Sequence, residues 1–301
     1  MPRLPEYLKR PIIDTEKTKT VRHILKDKCL NTVCEGARCP NKSECYAKNT
    51  ATFLIMGNVC TRNCRYCNIS TAKPKPLDLD EPKHIAEAVK ELGLKYAVIT
   101  SVARDDLPDG GAEHFKNCID EIRKICYAKI EILTPDFRCN ENPRFSARVL
   151  NGLGSGYHSL DTIIEAHPDV FNHNIETVKS LFKTARPQGN YDLSISVLKY
   201  IKDNSDIVTK SGLMVGLGEE INEIEETLVD LKNAGVNIVT IGQYIQPSKA
   251  HLEVAKYYTL GEFEKLEKLA QKIGIKNYQI SPLVRSSYQA MQSWQKAQIQ
   301  I

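Results

Sequence analysis

Short runs of β-branched and aromatic residues alternate with longer stretches of helical composition from about residue 51 onward. The predicted strands are 51–56, 96–100, 129–133, a weak glycine-rich segment at 152–159, 212–215 and 237–241. The predicted helices are at about 82–92, 111–126, 143–150, 174–184, 191–203, 220–234 and 261–273. Continuous apolar strands that alternate with helices favour a parallel sheet covered by helices.

The pattern contains six strand-helix units, which predicts an α/β fold. An eight-unit barrel takes ~250 residues, and residues 51–245 fall short of that length, so the prediction is a partial, open (βα)6 TIM-like barrel. The predicted domains are a barrel at 51–274 and two extensions, 1–50 and 275–301, that cover the open barrel. Loops at the carboxyl ends of the strands are where function is expected.

Composition favours a globular protein with a real core. The 301 residues are 42% hydrophobic and 26% charged, and no run approaches the ~18 to 20 apolar residues of a membrane-spanning helix. Prolines and charges in the first residues make a signal peptide unexpected. The expected location is therefore the reducing cytoplasm, where ten cysteines indicate metal ligands or reactive thiols instead of disulfides.

The net charge of +4 comes from the N-terminal arm, residues 1–28, which holds eight Lys or Arg residues against four Asp or Glu residues. This signal is too weak to predict nucleic-acid binding. An acidic protein partner and a solvated tail both remain open, and the tail is the preferred interpretation.

Cysteines are concentrated, with seven of the ten between residues 29 and 67. Cys60, Cys64 and Cys67 form a C-x3-C-x2-C array directly after the first predicted strand. Three thiolates on one loop can bind three irons of a [4Fe–4S] cluster and leave the fourth iron open for chemistry. A structural zinc site is the alternative, but it would want a fourth ligand at zinc-finger spacing, and none follows.

A second array lies ahead of the first. Cys34, Cys39 and Cys45 have C-x4-C-x5-C spacing, which supplies three thiolates for another cluster with one further ligand from elsewhere. A simple electron relay between two clusters is the alternative to a chemical role. The remaining cysteines have no ligand-like spacing and are predicted to be buried apolar thiols: Cys118, Cys126 and Cys139.

The C-x3-C-x2-C array resembles the signature of the radical S-adenosylmethionine (SAM) superfamily, including an aromatic residue, Tyr66, before the last cysteine. The resemblance implies that SAM binds the open iron through its amino and carboxylate groups, with Tyr66 near the adenine. Reductive cleavage of SAM then gives a radical that abstracts hydrogen from an unactivated C–H bond. Partial βα barrels are the usual scaffold of that superfamily.

The two arrays in this order resemble the lipoyl synthase family. Further similar motifs follow in order along nearly the whole chain, at 33–46, 57–71, 100–115, 132–138, 171–178, 209–219, 241–248 and 285–288. The resemblance implies insertion of two sulfur atoms at carbons 6 and 8 of a protein-bound octanoyl-lysine. It implies two [4Fe–4S] clusters and SAM as cofactors. The implied partners are octanoylated lipoyl carrier domains and an electron donor such as ferredoxin or flavodoxin.

The resemblance also assigns residues. Cys60, Cys64 and Cys67 hold the radical-generating cluster, and the auxiliary cluster donates its sulfur. That second cluster is held by Cys34, Cys39 and Cys45 together with a serine of the C-terminal Arg-Ser-Ser-Tyr motif. Ser287 is the expected ligand, Ser286 is the alternative serine, and Cys29 competes by proximity. The family motif continues with His where this chain has Gln289. A glutamine side chain can form hydrogen bonds but cannot transfer a proton, so this position is not expected to act in proton transfer.

The motif at 173–177 looks like the family's segment near SAM. Asn174 and Glu176 have the chemistry to hold the methionine ammonium group, and Arg186 can pair with its carboxylate. The competing interpretation is structural, with Asn174 as the cap of a helix that begins at Ile175.

Other polar positions carry weaker signals. For Arg104, Asp105 and Asp106, substrate contact and turn chemistry stay equally open. Gly152, Gly154 and Gly156 fit no dinucleotide fingerprint, and backbone room near the cofactor is the inference.

Two other functions remain open at this stage. One is a different radical SAM sulfurtransferase, similar to biotin synthase, which would act on a free small molecule. The other is a non-catalytic electron-transfer protein with two clusters, which would need no open iron.

Overall fold

The computed structural model describes residues 4–138 and 156–299. The chain divides into two compact units. We call Arg10–Arg62 with Ile69–Phe171 the N-terminal unit, and Met1–Lys9, Asn63–Asn68 and Asn172–Ile301 the C-terminal unit.

The α-helices, in chain order, are α1 Glu16–Asp27, α2 Val33–Gly36, α3 Lys42–Ala47, α4 Glu81–Glu91, α5 Ala112–Ile125, α6 Gly156–Ala166, α7 Phe182–Ala185, α8 Tyr191–Asn204, α9 Ile221–Asn233, α10 Leu260–Ile273 and α11 Ala290–Gln298. Two 3-10 helices lie at Glu6–Leu8 and Lys179–Leu181. The strands are β1 Asn31–Thr32, β2 Thr52–Ile55, β3 Val59–Cys60, β4 Ser70–Thr71, β5 Tyr96–Ser101, β6 Lys129–Leu133, β7 Val170–Asn172, β8 Val208–Val215, β9 Ile238–Gln243 and β10 Asn277–Ile280.

In the N-terminal unit, β2, β5 and β6 form successive parallel pairs. The register places Thr52 opposite Val98, and Tyr96 opposite Lys129. The short strand β1 runs antiparallel to β2 at the edge. All four residues of β2 are buried, as expected of a strand covered on both faces. Helices α4 and α5 match the predicted 82–92 and 111–126 within a residue at each end.

In the C-terminal unit, β8, β9 and β10 form two parallel pairs in which Lys210 and Asn277 both lie opposite Ile238 of the central strand. Strands β8 and β9 overlap the predicted strands at 212–215 and 237–241, and helices α8, α9 and α10 lie within a residue of their predicted bounds. The strand β10 lies in the predicted C-terminal extension and was not among the predicted strands.

Two predicted elements are wrong in the described residues. The weak strand at 152–159 is a helix from Gly156 onward, and its first four residues lie outside the described part of the chain. The strand between β6 and β8 is instead β7, whose three residues give almost no periodic signal. The predicted helix at 174–184 is replaced at its start by irregular backbone, in which Glu176 forms an isolated parallel bridge with Leu213 of β8. The predicted helix at 143–150 lies outside the described residues.

The basic N-terminal arm is not a solvated tail over its whole length. Thr15 and Thr18 form a capping box at the start of α1, and the apolar face of this helix is buried through Val21, Ile24 and Leu25. Burial of such a stripe drives helix formation more than intrinsic propensity does. Within the described residues, no helix has the length and apolar character needed to cross a membrane.

Candidate active site

The C-x3-C-x2-C loop begins in the N-terminal unit. Cys60 ends β3, which pairs in parallel with β4 on the far side of the loop. The Cys60 sulfur accepts backbone N–H groups from Arg62 and Ala103, each at 3.3 Å. These two backbone donors fix the position of the Cys60 sulfur at the end of β3.

A buried ion-pair network holds this end of the loop. The Arg62 guanidinium donates to Asp105 through Nε at 2.7 Å and also pairs with Asp136. Burial disfavours the charged guanidinium, but the two carboxylates outweigh it and raise the pKa of Arg62. Arg62 was not among the predicted site residues, because an arginine between two cysteines has no spacing signature. For Asp105 the structure supports a structural role, and Arg104 likewise pairs with Asp106 at 2.8 Å.

The other end of the loop, residues 63–68, belongs to the C-terminal unit. The Arg65 backbone donates to the Ala185 carbonyl oxygen at 2.9 Å, and its own carbonyl oxygen accepts the Leu252 N–H at 2.9 Å. The Asn63 N–H donates to Gln188 Oε1 at 3.2 Å. These bonds hold the segment that carries Cys64 and Cys67 from two sides.

The residues predicted to contact SAM come together in the C-terminal unit. Asn174 Nδ2 donates to Glu176 Oε1 at 3.0 Å, and Arg186 Nη1 donates to the Asn174 carbonyl oxygen at 3.1 Å. Glu176 has a left-handed φ of 72°, which is uncommon for a residue other than glycine. Its N–H donates to Gly212 O and its carbonyl oxygen accepts from Met214 N, each at 2.9 Å. These bonds contradict the competing interpretation, in which Asn174 caps a helix that begins at Ile175.

Electrostatics link Glu176 to Tyr66. Burial raises the pKa of Glu176, against the opposing effects of Arg186 and the Asn174 hydrogen bond. Burial is also the largest cause that raises the pKa of the Tyr66 hydroxyl, followed by the nearby charges of Glu176 and Cys64, whereas Arg186 lowers it. Tyr66, Glu176 and Arg186 are therefore neighbours, beside the loop segment with Cys64.

The C-terminal motif reaches the same place. The Ser286 hydroxyl lies 2.7 Å from Asn174 Nδ2 and 2.9 Å from Asn174 Oδ1. Two strand glycines make room for this segment. A Cβ on Gly212 would overlap Thr240 Oγ1 and lie 3.0 Å from Asn174 Oδ1, and one on Gly242 would overlap the Val284 carbonyl oxygen.

The hydrogen bonding of the nearby residues Ser287 and Gln289 differs from that of Ser286. Ser287 is partly exposed, and the structure gives it no hydrogen bond to Asn174. Gln289, at the family's histidine position, is exposed and has a left-handed φ of 50° at the start of α11. Its side chain makes no cap hydrogen bond to that helix.

The second cysteine triad is grouped in the N-terminal unit. Cys34 lies in α2 and Cys45 in α3, and the Cys39 N–H between them donates to the Cys34 carbonyl oxygen at 3.1 Å. Burial, with smaller contributions from the nearby Cys39 and Cys45, raises the pKa of Cys34 to about 12. Burial also raises the pKa of Cys45 to about 11, again with Cys39 as a neighbour. The competing ligand Cys29 is exposed.

The grouping of the triad differs from a single-ion site. Among the described residues, no three Cys, His, Asp or Glu side chains are placed to hold one metal ion. Each thiolate of a cubane cluster binds its own iron. The three thiols of a cluster site must therefore lie near one another, but they do not all contact one ion.

Two further cysteines of the described residues, Cys118 and Cys126, differ in burial. Cys118 is buried as predicted. Cys126 is only partly buried, contrary to the prediction, and donates to the Ile122 carbonyl oxygen at 3.4 Å. Cys139, Gly152 and Gly154 lie outside the described residues.

The fold and the cysteine loop define a class of protein. The model of the Radical SAM superfamily matches residues 54–231, which is more than half of the chain. Two curated relatives, both named Lipoyl synthase, are more specific. The one from Caldanaerobacter subterraneus subsp. tengcongensis is 46% identical over 96% of each chain. The one from Caldicellulosiruptor bescii is 48% identical over 95% of this chain and 94% of its own. This chain belongs to the lipoyl synthase family of the radical SAM superfamily.

Solved structures show the same fold at low identity. Methylornithine synthase (PylB) matches 84% of this chain and 73% of its own with a TM-score of 0.54 and 12% identity. Streptococcus suis SuiB bound to S-adenosylmethionine matches 80% of this chain and 54% of its own, with a TM-score of 0.55 and 13% identity. The predicted α/β class, with mostly parallel strands, is confirmed as the radical SAM fold. As a member of the superfamily, the chain is an enzyme that uses SAM and an iron–sulfur cluster.

Proposed function

We propose that this enzyme inserts two sulfur atoms at carbons 6 and 8 of a protein-bound octanoyl-lysine and so forms the lipoyl cofactor. Its similarity to two relatives named Lipoyl synthase supports this proposal. The observation that carries it is the gathering of Asn174, Glu176 and Arg186 beside Tyr66, next to the segment with Cys64.

These side chains match the polar groups of SAM. The Glu176 carboxylate accepts the ammonium group of the methionine moiety, and Asn174 holds that carboxylate by its amide. Arg186, whose guanidinium lies 5.0 Å from the Phe182 ring, pairs with the methionine carboxylate. Tyr66 offers a ring for the adenine.

The cysteine triads hold the cofactors. Cys60, Cys64 and Cys67 would hold the radical-generating [4Fe–4S] cluster, and Cys34, Cys39, Cys45 and Ser287 would hold the auxiliary one. The two clusters with SAM supply hydrogen abstraction at unactivated carbons and a source of sulfur. The chain contributes placement, since the substrate carbon must reach both a radical and a sulfur donor. Ser287 would hold its iron through a hard oxygen, which is a weaker partner for a cluster iron than thiolate.

The partners follow from the reaction. Residues 1–50 carry the auxiliary triad, 51–274 form the barrel domain, and 275–301 bring the serine motif. In α1, Lys17, Lys19, Arg22 and Lys26 are exposed, a basic surface suited to an acidic octanoylated carrier domain. A ferredoxin or flavodoxin supplies electrons one at a time.

The test measures iron and products together. Iron in the reconstituted full chain should be about eight per chain and fall to about four in the Cys34→Ala, Cys39→Ala, Cys45→Ala variant. With reductant and SAM, both proteins should form 5'-deoxyadenosine, but only the parent should convert an octanoylated carrier domain to the lipoyl form by mass spectrometry. Absence of 5'-deoxyadenosine contradicts the radical chemistry. Product restricted to free acids contradicts the carrier substrate and favours a biotin-synthase-like reaction.

A further inference from the structure

A histidine side chain binds the backbone of the last cysteine in the cluster loop. His251 Nε2 lies 3.0 Å from the Cys67 carbonyl oxygen, and both residues belong to the C-terminal unit. The next residue, Leu252, donates its N–H to the Arg65 carbonyl oxygen at 2.9 Å. Residues 251 and 252 therefore contact two positions of the loop, one by a side chain and one by the backbone.

His251 is itself held in place. Its ring Nδ1 lies 2.8 Å from Ser248 Oγ, and its backbone N–H donates to the Ser248 carbonyl oxygen at 3.1 Å. Gln246 Nε2 donates to the His251 carbonyl oxygen at 2.9 Å. These three hydrogen bonds fix the backbone and the ring of His251, so the remaining ring nitrogen, Nε2, has a fixed direction.

The partners determine where the ring proton lies. A carbonyl oxygen only accepts, so Nε2 carries the hydrogen that binds Cys67. In the neutral ring, Nδ1 then accepts the Ser248 hydroxyl hydrogen, while Ser248 Oγ accepts the Ala250 N–H at 3.3 Å.

The geometry points to His251 as a positioning residue that fixes the peptide plane after Cys67 and thereby orients this cluster ligand. This inference rests on the proposed function, since it takes Cys60, Cys64 and Cys67 as cluster ligands. In a planar trans peptide the carbonyl and the following N–H point in opposite directions. A bond to the Cys67 carbonyl oxygen therefore also fixes the direction of the Asn68 N–H and the dipole that the cluster experiences.

The position of His251 at the surface allows its positioning role to be distinguished from a contribution to the stability of the fold. His251 is partly exposed and lines a surface cleft of about 470 Å³ together with Cys64 and Gln188. Water in this cleft can replace the ring as a donor, so the folded chain should lose little when the ring is removed. What water cannot replace is the fixed orientation, and outer partners of metal ligands typically affect affinity or activity by about 10- to 100-fold.

The experiment compares two amides that reach different places. In His251→Gln the amide nitrogen replaces Nε2 and keeps the donor to Cys67, whereas in His251→Asn it replaces Nδ1 and does not reach. Ser248→Ala removes the partner that sets the tautomer, and His23→Asn changes an exposed histidine of α1 as the matched control. The full chain with both cluster sites is reconstituted and reduced. The electron paramagnetic resonance (EPR) signal that shifts on adding SAM then reports the cluster of interest.

We expect His251→Asn to retain about one tenth or less of the SAM-responsive signal, with a shifted reduction potential in the remainder. His251→Gln and His23→Asn should match the parent, and Ser248→Ala should fall between. Melting temperatures of the iron-free chains should agree among all variants. The inference is wrong if His251→Asn keeps the parent signal and potential, or if His251→Gln loses both equally. A parent chain with no SAM-responsive cluster would instead overturn the proposed function.

Discussion

Ser286 and Asn174 are hydrogen-bonded although 112 residues separate them along the chain. The Ser286 hydroxyl lies in front of the Asn174 amide, at 2.7 Å from its nitrogen and 2.9 Å from its oxygen. The serine motif expected to hold an iron of the auxiliary cluster thus also supports a residue of the proposed SAM site. The two adjacent serines, Ser286 and Ser287, should therefore have separable roles.

The Ser286→Ala variant should weaken SAM binding by about fivefold, because loss of one hydrogen bond costs about 1 kcal/mol. Equilibrium binding of SAM to the reconstituted protein measures this change. Ser287→Ala should bind SAM as the parent does and still form 5'-deoxyadenosine, but it should not insert sulfur. Cys29→Ala should insert sulfur normally, since Cys29 is exposed. If only the Cys29 variant loses sulfur insertion, Ser287 is not the ligand.

Glu176→Gln should stabilise the iron-free chain while abolishing tight SAM binding. Because burial raises the folded-state pKa of Glu176, the parent chain has its full stability below the ordinary glutamate pKa and loses some as the pH rises. The glutamine variant mimics the protonated form. Its free energy of unfolding in urea should equal that of the parent near pH 4 and exceed it at pH 7. A variant less stable than the parent at pH 7 would show that Asn174 and Arg186 outweigh the burial of Glu176.

Two glycine-to-alanine variants should act in opposite directions. In Gly212→Ala the new Cβ meets Thr240 and Asn174, so we expect a loss of about 1 to 3 kcal/mol in stability together with weaker SAM binding. In Gly261→Ala, at an exposed position of α10, the Cβ meets nothing within 4 Å. Alanine there should add about 0.5 kcal/mol by helix propensity. Chemical denaturation measures both, and equal effects would exclude the steric explanation.

Glu262→Gln should reveal an acid-sensitive helix start. Glu262 accepts the Thr259 N–H at 2.9 Å and pairs with Lys256, which together lower its pKa to about 2. Because the folded pKa is depressed, the stabilisation is present above about pH 4.5 and is lost as the pH falls toward 2. The parent should be more stable than the variant by up to about 1 kcal/mol at pH 7.

The measurement for Glu262 is urea unfolding at several pH values. The difference between the parent and Glu262→Gln should disappear as the pH falls from 4.5 to 2. Thr259→Ala removes the other half of the same capping box and should also destabilise α10 at pH 7. A difference that does not change with pH would contradict the role of the charge.

The sequence by itself determined the class of fold and predicted both cysteine triads as cluster sites. Strands such as β6 and helices such as α5 were predictable because burial on both faces and amphipathic periodicity leave direct marks in local composition. Cysteine spacing likewise predicts a cluster loop, because the three expected ligands lie close together along the chain.

Only the tertiary structure decided the relationships between distant segments. The bond between Asn174 and Ser286, the contact of His251 with Cys67, and the pairing of β10 with β9 depend on segments brought together by folding. Glu176 shows why local signals fail here. The motif around Glu176 permits a capped helix. Backbone hydrogen bonds to β8 instead hold Glu176 in a left-handed conformation, which is uncommon for glutamate. Local propensity amounts to a fraction of a kcal/mol per residue, and strand pairing with burial outweighs it.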